Sequence, residues 1–115
     1  MTMIEQCTFG SMIISGKQYT SDLKIINGQV HSDWWRKSGH AVDVAEVADI
    51  LKEKPDYLII GSGSFGLMKL SDQLKQHLID CGVHVIEEPT STAIHTFNQM
   101  YADGKNVAAG FHLTC

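Results

Sequence analysis

The sequence predicts an α/β fold: a mixed sheet covered by helices, with an N-terminal antiparallel meander followed by βαβ units. Three observations carry this. Short apolar runs separated by turn residues fill residues 9–35. From Asp43 onward, segments with helical spacing alternate with short runs of Val, Ile and Leu, the pattern of parallel strands joined by right-handed crossovers. The last stretch, Asn106–Thr114, is nearly apolar on both faces, as a strand in a sheet interior must be.

Phe9–Ile14 reads as a strand with a bulge at Gly10, Ser15–Gln18 as a turn and Asp22–Ile26 as a second strand. Asn27-Gly28 is a strong hairpin signal, because both central positions of a type I′ turn need positive φ. Gln29–Trp35 is the returning strand, on which the adjacent Trp34 and Trp35 face opposite ways, one to the core and one to a loop or partner. After the polar connection Arg36–Ala41, Asp43 and Glu46 resemble a capping box. Val44, Val47, Ala48 and Leu51 then form the apolar stripe of a helix ended by Pro55-Asp56.

Strand Tyr57–Ile60 runs into a loop with Gly61-x-Gly63-x-x-Gly66. The following helix carries the stripe Leu67, Leu70, Leu74, Leu78 and Cys81. It starts either at Gly66 or, with Ser71 as its cap, at Asp72, and Gly82 ends it. The stripe turns Cys81 inward as a buried thiol. Val83–Ile86 is a short strand. Ser91 or Thr92 caps a third helix that buries Ala93, Phe97, Met100 and Tyr101. The order is β-β-β-α-β-α-β-α-β in a single domain, 1–115.

Composition bounds the function. The chain has 115 residues, 43% apolar and 19% charged, enough for one core without staples. A net charge of -4 with no run of Lys or Arg argues against nucleic acid as a partner. No apolar stretch is long enough to span a membrane as a helix. The first residues have neither a signal-peptide nor a transit-peptide pattern, so a cytoplasmic location is expected. Cys7, Cys81 and Cys115 are odd in number and far apart, which fits free thiols in a reducing compartment.

The glycine loop has three readings. It follows a strand and precedes a helix and a further strand ending near Glu87, the context of a dinucleotide site. Against this, a helix capped by Ser71 begins too late to meet a pyrophosphate, Glu87 lies beyond the usual spacing, and one βαβ unit leaves little chain for a substrate. A weaker anion site would use the amides of Ser62, Gly63 and Ser64. Alternatively the glycines serve only positive φ and close packing. No dinucleotide or other cofactor is expected, and no catalytic residue is assigned. His77 and Cys81 are spaced i, i+4, and His112 lies near Cys115, but neither pair has a third ligand, so no metal is expected.

Several stretches together are similar to one family: Ile26-Asn27-Gly28, Trp35-Arg36-x-x-Gly39-His40, Pro55-Asp56-Tyr57-Leu58-Ile59-Ile60-Gly61-Ser62-Gly63, and Asn106 through Cys115. By them the chain resembles the adipogenesis-associated Mth-domain proteins, a family that takes in the mitochondrial complex I assembly factor three. The resemblance covers almost the whole chain. It implies a three-layer α/β/α domain with a mixed sheet, assembly or regulatory roles in the animal members, and no agreed catalytic residues. It implies a pocket formed by Gly61, Ser62 and Gly63 with Arg36, His40 and Thr90. Set beside the mitochondrial members, no targeting extension is expected here, which argues against an organellar role.

Two functions are therefore in view. One is a non-catalytic interaction, assembly or regulatory module whose partner is another protein. The other is a domain binding an anion or small molecule at the glycine loop, with room for an enzyme of unknown reaction. A cleft lined by Arg36 and His40 would favour the second. An exposed apolar patch including Trp34 or Trp35 would favour the first.

Overall fold

The computed structural model describes residues 3–37 and 40–114. Strands β1 (Ile4–Thr8), β2 (Ser11–Ile14) and β3 (Lys17–Tyr19) form a small antiparallel sheet. The main sheet has five strands. β4 (Leu23–Ile26) and β5 (Gln29–His31) form an antiparallel hairpin, and β7 (Tyr57–Ser62), β9 (His84–Glu88) and β10 (Val107–His112) are mutually parallel, in the order β5-β4-β10-β7-β9. Two short parallel strands, β6 (Ala41–Val42) and β8 (Lys69–Leu70), pair outside it. The helices are α1 (Ala48–Lys52), α2 (Asp72–Asp80) and α3 (Thr90–Ala102).

The mixed α/β architecture is as expected, but the meander divides. Its first part makes the small sheet and only the Asn27-Gly28 hairpin joins the main one. Asn27 and Gly28 have φ of 51° and 75°, the conformation that turn requires. β1 lies in a segment with no strand signal, since Ile4 is its one buried residue. The Asn98 side chain of α3 holds it by accepting from the Ile4 amide at 2.9 Å and donating to the Ile4 carbonyl at 2.8 Å. Phe9 and Gly10 form the β1–β2 turn rather than a bulge, and the run from Gln29 leaves the sheet after His31.

The capping box opens a 3-10 turn, Val44–Val47, rather than an α-helix, and the Asp43 amide donates to Glu46 Oε1 at 2.8 Å. Three residues per turn set Val44 and Val47 on one side. Val47 is buried and Val44 and Leu51 pack half-buried against the same core, as expected, whereas Ala48, expected in the stripe, is exposed and Ile50 of α1 is buried. Ser71 caps α2 by accepting from the Leu74 amide at 3.1 Å. α3 starts earlier than expected, at Thr90 after Pro89. Cys81 corrects another expectation. α2 ends at Asp80, so the stripe stops at Leu78 and Cys81 is exposed, its Sγ 3.6 Å from His77 Nε2. Cys115 lies outside the described residues.

β10 is the middle strand and all six of its residues are buried. Val107, Ala109, Phe111 and the following Leu113 face a core with Ala93, Ile94 and Phe97 of α3 and with Ile4, Met12 and Ile14 of the small sheet. Ala108 faces the opposite core of Trp34, Ile50, Leu74 and Leu78. The outer layers are therefore α1 with α2 on one face and α3 with the small sheet on the other. Each fully buried Leu, Ile or Phe contributes roughly 1.5–3 kcal/mol.

Candidate functional site

The parallel strands β7, β9 and β10 all end on one edge of the sheet, the edge where open α/β sheets place their ligands. The antiparallel β4 starts at the same edge, which sets Asp22 beside His112. Asp22 Oδ2 lies 2.7 Å from His112 Nδ1 and 2.5 Å from Arg36 Nη2, and its Oδ1 accepts from the Leu113 amide at 2.8 Å. Arg36 can only donate, so Oδ2 is the shared acceptor and His112 Nδ1 carries the hydrogen directed at it. The Arg36 guanidinium also lies 4.6 Å over the ring of Trp34, a cation–π contact. His40, exposed, meets His112 edge to face at 5.6 Å between ring centroids.

Burial of Asp22 acts to raise its pKa. The Leu113 amide, Arg36 and His112 together outweigh this and hold the carboxyl below its ordinary value of 3.8. The carboxylate is thus ionised and compensated by a cation and two hydrogen bonds, as a largely buried charge must be.

The glycine loop borders this cluster. Thr90, at the first turn of α3, accepts from the Gly63 amide at 2.9 Å and donates to the His112 carbonyl at 2.6 Å. The Ser64 amide donates to the Thr114 carbonyl at 2.7 Å, the Gly66 amide to Gly63 at 3.3 Å, and the Ser62 hydroxyl to the Glu88 carbonyl at 3.1 Å. The loop amides of Gly63 and Ser64 therefore serve the protein itself. Gly63 and Gly66 have φ of 96° and 67°. Gly61 is part of β7, and a Cβ there would lie 2.5 Å from Phe111 Cδ1 and 3.0 Å from Thr90 Oγ1. The spacing Gly61-x-Gly63-x-x-Gly66 is thus accounted for by packing and turn geometry. α2 begins six residues beyond Gly66, at Asp72.

The structure brings Arg36, His40, Ser62, Gly63, Ser64 and Thr90 to one edge, with Gly61 at their base. It adds Asp22 and His112, which sequence reasoning did not assign to the site. His112 had one local signal, a polar residue ending an otherwise apolar strand. Around this edge stand exposed aromatic side chains: Phe9, Trp35 and Phe65, at 64%, 81% and 74% exposure. Each neighbours a residue bonded to the end of β10. The Gly10 amide donates to the Leu113 carbonyl at 2.8 Å, and Arg36 and Ser64 make the contacts given above. Trp34, the partner of Trp35 in sequence, is buried on Gly110, where a Cβ would lie 2.8 Å from its ring. A cleft of about 480 Å³ lies at the other end of the strands, lined by residues 54–56 and 81–83 among others. Among the described residues no group of three or more His, Cys, Asp and Glu could hold a metal ion, and no helix is long and apolar enough to cross a membrane.

A mixed sheet of this order, covered by helices on both faces, defines a small α/β domain. The chain belongs to the family of proteins of unknown function DUF498/DUF598, matched over residues 4–112. Among solved structures it is similar to MT938, with 32% identity over 100% of both chains and a TM-score of 0.81. It is also similar to the conserved hypothetical protein PH1505 from Pyrococcus horikoshii OT3, with 28% identity over 97% of this chain and 98% of that one and a TM-score of 0.84. A Mth938-like domain protein from Bordetella pertussis shares the fold at 17% identity, covering 97% and 85% of the two chains with a TM-score of 0.72. No curated protein matches the sequence.

Proposed function

We propose that this protein is a non-catalytic interaction module, an assembly or regulatory protein of the cytoplasm related to the adipogenesis-associated Mth-domain proteins and the complex I assembly factor. The observation that supports this most is the division of labour at the carboxyl edge. The polar groups that a ligand would use are bonded to one another, whereas Trp35 and Phe65 beside them are turned to solvent. Large exposed aromatic side chains grouped on one edge are the surface expected of a protein–protein contact. The test is photo-crosslinking with a benzoylphenylalanine in place of Phe65, and in place of exposed Gln73 on α2 as a control. A discrete protein adduct at 65 and none at 73 is expected. No adduct, or equal adducts at both positions, would overturn the reading.

A second reading, binding of a small anion, is favoured by one observation: the ring of exposed His40 contacts that of His112, which borders a largely buried arginine. Titration with inorganic phosphate tests it through the ring resonances of His40 and His112. Saturable shifts of both would support it, and unmoved resonances at millimolar phosphate would remove it.

A further inference from the structure

We infer that the outer side of β9 is a self-association surface, on which a second copy of this chain pairs its own β9 antiparallel, with the two-fold axis at Ile86. β9 is the last strand of the main sheet, bonded on one side to β7 in unbroken register from Tyr57 opposite His84 to Gly61 opposite Glu88. Among the described residues no strand pairs with its other side. Sheets commonly guard such a strand with Lys, proline, a bulge or very short length. β5, at the opposite side of the sheet, has three residues. β9 has five, His84-Val85-Ile86-Glu87-Glu88, with neither Lys nor proline nor bulge among them. Val85 and Ile86 are half-buried, packed against the cores beneath α2 and α3 respectively.

The backbone fixes which groups face outward. The His84 amide donates to the Asp56 carbonyl at 2.9 Å, and the Glu88 carbonyl accepts from the Ser62 hydroxyl at 3.1 Å. His84, Ile86 and Glu88 thus turn their backbone groups toward β7, and Val85 and Glu87, between them, turn theirs outward. Two such strands related by a two-fold axis run antiparallel. With the axis at Ile86, Val85 lies opposite the partner's Glu87, and each amide of that pair meets a carbonyl of the other residue. With the axis at Glu87, Val85 would lie opposite the partner's Pro89, which has no amide, and the two Glu87 carboxylates would be opposed. With the axis at Val85, Glu87 would lie opposite the partner's Val83, whose amide already donates to the Leu78 carbonyl at 2.9 Å.

The side chains select the same register. On the α3 face Ile86 meets the partner's Ile86 in the closer, non-hydrogen-bonded kind of pair, an apolar contact between β-branched residues. On either side of it His84 lies opposite the partner's Glu88, so an imidazole able to donate faces a carboxylate twice. The Glu88 carboxylate is held on this face by Thr96 of α3, whose hydroxyl donates to its Oε1 at 2.6 Å. On the α2 face Glu87 lies opposite the partner's Val85 and not another carboxylate. The chain's net charge of -4 opposes association only weakly at physiological salt, where charges more than about 8 Å apart are screened. A strand complementary to itself in hydrogen bonding, packing and charge takes a second copy as its occupant.

The experiment is analytical ultracentrifugation of the full chain from low micromolar to near-millimolar concentration, with cysteine crosslinking to read the register. A monomer–dimer equilibrium is expected. Glu87→Pro removes an outward amide, a change that the outer side of an edge strand tolerates. It should raise the dissociation constant about tenfold or more and leave the melting temperature of the dilute monomer unchanged. His84→Glu, which opposes two carboxylates, should weaken the dimer, and His84→Glu/Glu88→Lys should restore it. In a Cys7→Ser/Cys81→Ser/Cys115→Ser background, Ile86→Cys should form an intermolecular disulfide on mild oxidation, because opposed Cα atoms in such a pair lie about 4.5 Å apart. His84→Cys should not, because the two copies of that position lie more than about 10 Å apart. A monomer throughout the range, a dimer indifferent to Glu87→Pro, or the absence of the disulfide at 86 would each overturn the proposal. None of these readouts depends on Trp35 or Phe65, so failure here leaves the interaction reading of the carboxyl edge standing.

Discussion

His112 Nδ1 and Asp22 Oδ2 are 2.7 Å apart across 90 residues of chain. The contact ties the end of the central strand β10 to the entry of its antiparallel neighbour β4, and Arg36 joins it from a third segment. Removing the carboxylate leaves Arg36, whose side chain is 4% exposed, beside an imidazole with no anion between them. Breaking such a buried pair costs up to about 3–5 kcal/mol. Asp22→Ala is therefore expected to lower the melting temperature by on the order of 10 °C or more. Asp22→Asn, which keeps an acceptor for the Leu113 amide, should lose less. A melting temperature unchanged in Asp22→Ala would show that the cluster contributes nothing to stability.

The same carboxylate sets a pH dependence. Its folded-state pKa lies below 3.8, so the folded protein holds fewer protons than the unfolded one as the group titrates. The stabilisation is complete above the unfolded value and is lost as pH falls through the folded one. As pH falls below about 5 the natural protein should lose more stability than Asp22→Asn, and above about pH 5 their difference should be constant with respect to this group. Urea midpoints at each pH measure this. Parallel curves for the two proteins throughout the acid range would refute it.

Gly61 is fixed by space rather than by its backbone. A methyl group there would overlap Phe111 Cδ1, part of a ring packed edge-on against Phe97. Overpacking of this kind costs typically about 1–3 kcal/mol, and that is the expected loss for Gly61→Ala by denaturant unfolding. Phe111→Leu should relieve part of it, so the double variant should be more stable than the sum of the singles by about 0.5 kcal/mol or more. Strict additivity would place the strain elsewhere.

These features differ in how far the sequence could reveal them. The Asn27-Gly28 turn and the two-faced apolar pattern of β10 are local, so the sequence was sufficient for both. β1 and β3 are short and largely exposed, and only the partners that hold them, such as Asn98 for β1, reveal them as strands. Of the stripe Val44, Val47, Ala48 and Leu51, all but Ala48 pack on the core, and Ile50 joins them because a 3-10 turn precedes α1 and changes the period. Ser71 was legible as a cap because capping chemistry acts within three residues. The Asp22–His112 contact has no local signature, being made by the register of β4 on β10. Trp34 and Trp35 face opposite ways, as neighbours on a strand would, although both lie beyond the end of β5.

The exposure of Cys81 changes the thiol chemistry expected from the stripe. Cys7 is half-buried, and burial pushes its thiol pKa up, which lowers its thiolate fraction at neutral pH. Cys81 is exposed at the end of α2. In the native protein a maleimide should therefore modify Cys81 well before Cys7, as mapped by mass spectrometry of the digest. Equal rates in the folded state would contradict the difference in exposure.

The glycine loop also makes a prediction about dinucleotides. A pyrophosphate would need the loop amides and a helix N-terminus together. Here the Gly63 and Ser64 amides donate to Thr90 and Thr114, and the capped start of α2 follows a further strand, β8. Binding would require those bonds to break and the loop to rebuild. If a dinucleotide bound, a concentration 100 times its dissociation constant would stabilise the fold by about 2.7 kcal/mol. For a domain of this size that raises the melting temperature by on the order of 10 °C or more. NAD, NADP and FAD are each expected to leave the melting temperature unchanged within the scatter of the assay. A dose-dependent rise of that size, abolished by Gly63→Val, would mean that the loop opens to bind phosphate, and would restore the enzyme reading over the interaction module.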